Sequence, residues 1–129
     1  MNLSIAAYFD NIESLLISSG VVRSFRIVRR QVSATDGKIR IRLTFVDHSE
    51  AEIFEYVVES GGQLFLQKYS FHWQDALGSL IRRWDNAPHL SHLPGEPHHV
   101  HQADGSVEGM SSVPDTAFII AFIEEQTKQ

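Results

Sequence analysis

The chain opens on a helical pattern. Ile5, Phe9, Ile12, Leu15 and Leu16 recur at spacings of three and four, which stacks them into one apolar stripe on an amphipathic helix. Ser18, Ser19 and Gly20 then supply a stop. From Val21 to Val32, β-branched residues mix with Arg23, Arg26, Arg29 and Arg30; this predicts a strand, though without a clean period of two. The cluster Ser33-Ala34-Thr35-Asp36-Gly37 reads as a turn. Beyond it Ile39, Ile41, Leu43 and Phe45 alternate with Arg40, Arg42 and Thr44, the pattern of a half-buried strand. Asp47-His48-Ser49 ends that strand, Ile53 to Glu59 predicts the next, and Gly61-Gly62 the following turn. Leu64 to Trp73 and Leu80 to Asp85, joined around Ala76-Leu77-Gly78, complete a meander.

From Asn86 to Ser112 neither period survives. This stretch holds Pro88, Pro94 and Pro97 and five of the seven histidines, so the expectation is a long structureless loop of functional character. Ser112, Pro114 and Asp115 then resemble a helix start, with Phe118, Ala121 and Phe122 as the buried stripe of a closing helix. The predicted fold class is α+β: one domain over residues 1–129, a five-stranded antiparallel meander sheet flanked by an N-terminal and a C-terminal helix.

Composition narrows the chemistry. A chain of 129 residues is long enough to bury one core without staples. The absence of cysteine excludes disulfides, thiolate catalysis and cysteine-based zinc sites, and fits a reducing cytoplasm. No basic segment with an apolar stretch opens the sequence, and the longest apolar run, Ala117 to Ile123, is too short for a bilayer, so a soluble, unprocessed protein is expected. A formal charge of −5 argues against coating nucleic acid by overall electrostatics, while leaving room for a local basic site.

The candidate chemistry lies between His72 and His101. Strand alternation puts Tyr69, Phe71 and Trp73 on a core face and Lys68, Ser70 and His72 on the other. A turn of even length sends Leu80, Arg82 and Trp84 to the aromatic face, and Ile81, Arg83 and Asp85 to the face of His72; an odd turn exchanges Arg82 and Arg83. Trp84 is expected mostly in the core. For His98, His99 and His101, one reading is acid–base cleavage of RNA. A neutral imidazole takes a proton from a ribose 2′-hydroxyl, a protonated one donates to the leaving oxygen, and Arg82 or Arg83 stabilises the phosphate. His72 joins the catalytic candidates, and Lys68, Asp85 and His89 join the arginines as substrate-binding candidates. A competing reading makes His98 or His99 with His101, and His72, His89 or Asp85, into metal ligands, although no standard metal-binding spacing is present. The reading preferred here has no metal and no cofactor. A histidine-rich surface loop that merely hydrogen-bonds gives the same pattern, and Arg83 with Asp85 reads equally as a surface ion pair. The arginines from Arg23 to Arg42 are expected as solvated positions paired with Glu52, Glu55 and Glu59 rather than as an RNA-binding face.

The stretches Tyr69-Ser70-Phe71-His72-Trp73-Gln74-Asp75, Leu80-Ile81-Arg82-Arg83-Trp84-Asp85-Asn86-Ala87-Pro88-His89 and Leu93-Pro94-Gly95-Glu96-Pro97-His98-His99-Val100-His101 together resemble the TumE-type toxin family of bacterial toxin–antitoxin systems. The resemblance implies a toxin and a small cognate antitoxin, commonly with a helix-turn-helix. It implies no particular reaction. A metal-independent ribonuclease therefore rests on the residues, against a non-enzymatic inhibitory module that binds a protein target, or a metal-dependent histidine-cluster hydrolase. A homodimer is left open. The antitoxin is expected to cover the loop from Asn86 to Ser112.

Overall fold

A computed structural model describes residues 3–87, 98–110 and 112–128. Helix α1 spans Ile5–Ser18, and Ser4 caps it by accepting from the Ala7 amide at 3.0 Å. Strands β1 (Val22–Val32), β2 (Asp36–Phe45), β3 (Glu50–Ser60), β4 (Gln63–Gln74) and β5 (Leu80–Asp85) follow as a meander. Two further strands, β6 (His99–Gln102) and β7 (Val107–Gly109), extend it before helix α2 (Thr116–Thr127). Among the described residues the sheet therefore has seven strands in sequential order, every neighbour antiparallel.

Seven strands correct the expected five, and β6 and β7 correct the expected structureless loop. Their sequence hid them because β6 is short and alternates histidine with valine, so its period carries little hydrophobic contrast. Pairing explains them: without β6, the outer edge of β5 would leave its backbone donors and acceptors unmet beside the buried Trp84. The Asp104-Gly105 turn between them was a legible hairpin signal, with Gly105 at φ 87° and the Asp104 carboxylate accepting from Ser106.

One face of the sheet builds the core. Ile39, Ile41, Leu43 and Phe45 of β2 meet Ile53 and Val57 of β3, Tyr69, Phe71 and Trp73 of β4, Trp84 of β5 and Val100 of β6 in a single cluster. Helix α1 adds Ile5, Phe9, Ile12 and Leu16, as its stripe predicts. The approach is close: a Cβ on Gly37 would lie 2.6 Å from Cγ2 of Ile5, so only glycine fits under this helix. Helix α2 departs from expectation. Asp115, not Ser112, is its cap, accepting from the Phe118 amide at 2.9 Å, and the buried residues are Thr116, Ile119, Ile120 and Ile123. The frame shift leaves Phe118 45% exposed, while Phe122 reaches the core edge-on to Trp84 at 5.5 Å.

The opposite face of β1 to β6 carries the polar half of each alternation, and its β1 to β5 part holds a groove of about 730 Å³ whose lining includes Arg26, Arg40, Arg42, Glu52, His72 and Arg83.

Candidate active site on the open sheet face

Register decides which side chains meet. From β4 to β5, Phe71 pairs with Trp84, His72 with Arg83 and Ser70 with Asp85. The connection, residues 75–79, has five residues and is the odd case, but a bulge between Trp73 and Gln74 restores the pairing expected of an even one, so Arg83 shares the face of His72, and Trp84 is buried at 2% exposure. The turn at residues 75–79 is built on Asp75, whose carboxylate accepts from the amides of Leu77 and Ser79. The same bulge reverses the expected faces of the first two residues: Leu80 pairs with Gln74 on the open face, and Ile81 packs against the core instead. From β5 to β6, Arg83 pairs with His101 and Asp85 with His99.

The result is a row across six strands, in which Arg26, Arg42, Glu52, His72, Arg83 and His101 follow one another from β1 to β6. The adjacent row runs Arg40, Phe54, Ser70, Asp85 and His99 from β2 to β6. A third holds Lys38, Tyr56 and Lys68.

Asp85 is the hub of the β5–β6 end. Only 4% exposed, its carboxylate meets Nε2 of His99 at 2.7 Å, accepts from Nε of Arg83 at 3.0 Å and from the Ala87 amide at 3.2 Å, and lies 3.5 Å from Nε2 of His101. A buried carboxylate needs this company to remain charged. His99 is fully buried, whereas the side chain of His101 is 25% exposed. The two imidazoles stand edge-to-face at 5.2 Å. Solvent therefore reaches His101, and His99 serves from behind.

The site candidates separate accordingly. His99, His101, Asp85 and Arg83 come together, with His72 in the same row. His98 does not join them: alternation turns it to the core face, where Nδ1 meets the Tyr69 hydroxyl at 2.9 Å and the rings stack at 5.8 Å. Burial raises the pKa of that Tyr69 phenol, and the nearby Asp85 charge adds to the shift. Arg82 also lies on the helix side, its guanidinium 4.6 Å over the ring of Phe122. Lys68 shares the open face but sits beside Tyr56, two rows from His72. His89 falls outside the described residues.

Of the arginine pairings, Glu52 accepts from Arg40 and from Arg42 as expected. Burial works against the Glu52 carboxylate, but those two bonds outweigh it and hold its pKa below the usual range. Glu55 corrects the reading. It is fully buried on the core face, where it accepts from the Tyr8 hydroxyl and from both the amide and hydroxyl of Thr116 at the start of α2. Desolvation raises its pKa, the Asp115 charge assists, and the three donors only partly offset the rise. Glu59 instead receives the Gly62 amide at 2.9 Å.

Glu55 explains what sequence reading missed. In Ile53-Phe54-Glu55-Tyr56-Val57 the acid occupies a core position, which turns Phe54 and Tyr56 to the open face. There the Arg40 guanidinium lies 4.6 Å from the Phe54 ring centre, and Lys38 Nζ lies 5.4 Å from that of Tyr56. Aromatics out of phase with the inward alternation were the available signal.

With this geometry in place, the family model described as Toxin TumE matches residues 12–127 of the chain. No curated protein and no solved structure gives a match. Among the described residues, no helix is long and apolar enough to cross a membrane.

Proposed function

The chain belongs to the TumE toxin family, and from that premise we propose that it is the toxin of a toxin–antitoxin pair that cleaves RNA by metal-independent acid–base catalysis between His72 and His101. The observation that carries this reading is the row His72, Arg83, His101, with the buried Asp85 beside its last member. Adjacent strands lie about 4.8 Å apart, so the two histidines flank Arg83 with backbones about 10 Å apart, a gap suited to one phosphodiester.

His101 takes the proton of the ribose 2′-hydroxyl, and Asp85 stabilises the imidazolium that forms. The 2′-oxygen attacks the adjacent phosphorus, and the bond to the 5′-oxygen breaks. His72, entering protonated, donates to that leaving oxygen, giving a 2′,3′-cyclic phosphate and a 5′-hydroxyl. Arg83, oriented through Nε by Asp85, offsets charge on the phosphate. His99 positions Asp85, being too buried to touch substrate.

A second reading has its own observation. Ligand atoms of Asp85, His99 and His101 lie within 4.8 Å of one another, a two-histidine, one-carboxylate set able to hold a divalent cation. The Arg83 guanidinium on the same carboxylate opposes it, since it already supplies positive charge there. A chelator separates the two. On a defined RNA, cleavage is expected to persist in EDTA, to yield cyclic-phosphate ends, and to fall about 10²- to 10⁴-fold in His101→Ala and in His72→Ala. If both variants fold and stay toxic, the catalytic assignment is wrong and a non-enzymatic protein-binding toxin replaces it.

The partner implied is a cognate antitoxin, which we place over residues 86–112, where it would mask His101; a helix-turn-helix in that partner belongs to the same proposal. Mapping antitoxin protection by hydrogen exchange tests it.

A further inference from the structure

Resting on that reading of the site, we propose that Phe54 and Tyr56 of β3, with Arg40 and Lys38 over their rings, form a platform that stacks the unpaired bases of single-stranded RNA and leads the strand into the His72–Arg83–His101 row.

Three observations support the occupant. Charge is the first. Among the described residues, seven of the eleven lysines and arginines project from the open face, against four of the fifteen aspartates and glutamates. The chain is net acidic at −5, so its positive charge is gathered where a polyanion would lie, and the remainder of the surface repels one. The second is the placement of two half-buried aromatic rings two residues apart on the polar side of a strand, about 6.8 Å along its length. Phe54 is not needed for the core, which is closed by the helices on the other face. The third is how the rings are dressed. A guanidinium 4.6 Å over Phe54, braced by Glu52, offers a flat cationic surface on which a base can stack while its edge reaches phosphate. Tyr56 is fixed by its hydroxyl donating to Asp36 at 2.9 Å.

Continuity with the proposed chemistry comes from register. Phe54 pairs with Ser70, two residues along β4 from His72, so the platform ends where the catalytic row begins. A duplex keeps its base faces inside its own stack and cannot use such rings; a single strand can.

The test measures binding to the folded full-length chain carrying His101→Ala, so that RNA stays intact, by fluorescence anisotropy of a short unstructured RNA. Phe54→Ala and Tyr56→Ala are each expected to weaken binding about 5- to 150-fold. Without any change to the platform, an abasic oligonucleotide of equal length should bind as weakly as those variants do to RNA, and the duplex form should bind more weakly than the single strand. Equal affinity for the abasic strand or the duplex overturns the platform, as does unchanged RNA binding in both variants, including the case where they lose antitoxin binding instead. Base-dependent binding through these rings without histidine-dependent cleavage would sink the nuclease and leave the platform. Histidine-dependent cleavage with unchanged binding would do the reverse.

Discussion

Glu55 and Asp85 are both buried, at 0% and 4% exposure, on opposite faces of one sheet. Glu55 sits between two helices and is met by a phenol, an amide and a hydroxyl, groups that keep their protons at ordinary pH. It ties Tyr8 of α1 and Thr116 of α2 to the centre of β3 and uses the positive end of α2 for part of its solvation. Asp85 is met by two imidazoles and a guanidinium, one imidazole open to solvent. Burial of a carboxylate therefore does not mark a working site by itself. The distinction lies in whether its partners can gain or lose a proton, or hold an anion, within reach of solvent.

The sharpest way to break the comparison is to remove each charge while keeping its shape. Asp85→Asn leaves a side chain of the same size but withdraws the charge that stabilises the His101 imidazolium, so RNA cleavage should fall about 10²- to 10⁴-fold. Glu55→Gln should leave cleavage at the unaltered level. The opposite result, an active Asp85→Asn chain and a folded but inactive Glu55→Gln chain, would exchange the roles assigned to the two carboxyls.

Stability should divide the other way. Glu55→Ala strands the Tyr8 hydroxyl and the Thr116 amide in a dry core and removes the tie between the helices, a loss of about 2–4 kcal/mol in urea unfolding. A loss under about 1 kcal/mol would mean that water enters and replaces the carboxylate.

The same residue predicts a pH dependence of definite sign. Its folded-state pKa is raised, chiefly by desolvation, so between the usual carboxylate value and the raised one the folded chain binds more protons than the unfolded chain. Its contribution to stability is full below the unfolded pKa and is lost as pH rises through the folded pKa. Glu55→Gln should flatten that part of the profile and compare more favourably with the unaltered chain at pH 8 than at pH 4. A parallel offset at all pH values would show that Glu55 does not titrate in this window.

The legibility of the molecule follows the same division between faces. Residues that bury apolar surface announced themselves: the α1 stripe and the alternation of β2 and β4 read directly, because period and hydrophobic contrast coincide there. The His72–Arg83 pairing was legible as one of two registers, but the five-residue turn is the odd case, and it is the bulge between Trp73 and Gln74 that selects Arg83. Three things were hidden. Strand β6 has too little contrast to show a period, although it is what brings His99 and His101 to Asp85. The inward frame of α2 depends on whether Ser112 or Asp115 caps it, and both are good caps. The inversion at Ile53-Phe54-Glu55-Tyr56-Val57 requires an acid in the core, which only its tertiary partners Tyr8 and Thr116 make affordable.

The smallest expected effect lies at the far end of the open face. Arg42 is 62% exposed and bonds Glu52 at 3.1 Å, while Arg40 bonds the other oxygen of the same carboxylate. An ion pair so open to water is screened, and Glu52 keeps a partner when Arg42 is gone. Arg42→Gln should therefore change unfolding free energy by less than about 0.5 kcal/mol. If the open face tracks a single strand, the same substitution should lower the slope of log affinity against log salt by about 0.7, one phosphate contact, while leaving the preference for RNA over an abasic strand intact. A stability loss well above that bound would show that the open face is structural in the manner of Glu55. An unchanged salt slope would place the strand closer to Arg83 and His101, away from the β1–β2 end of the groove.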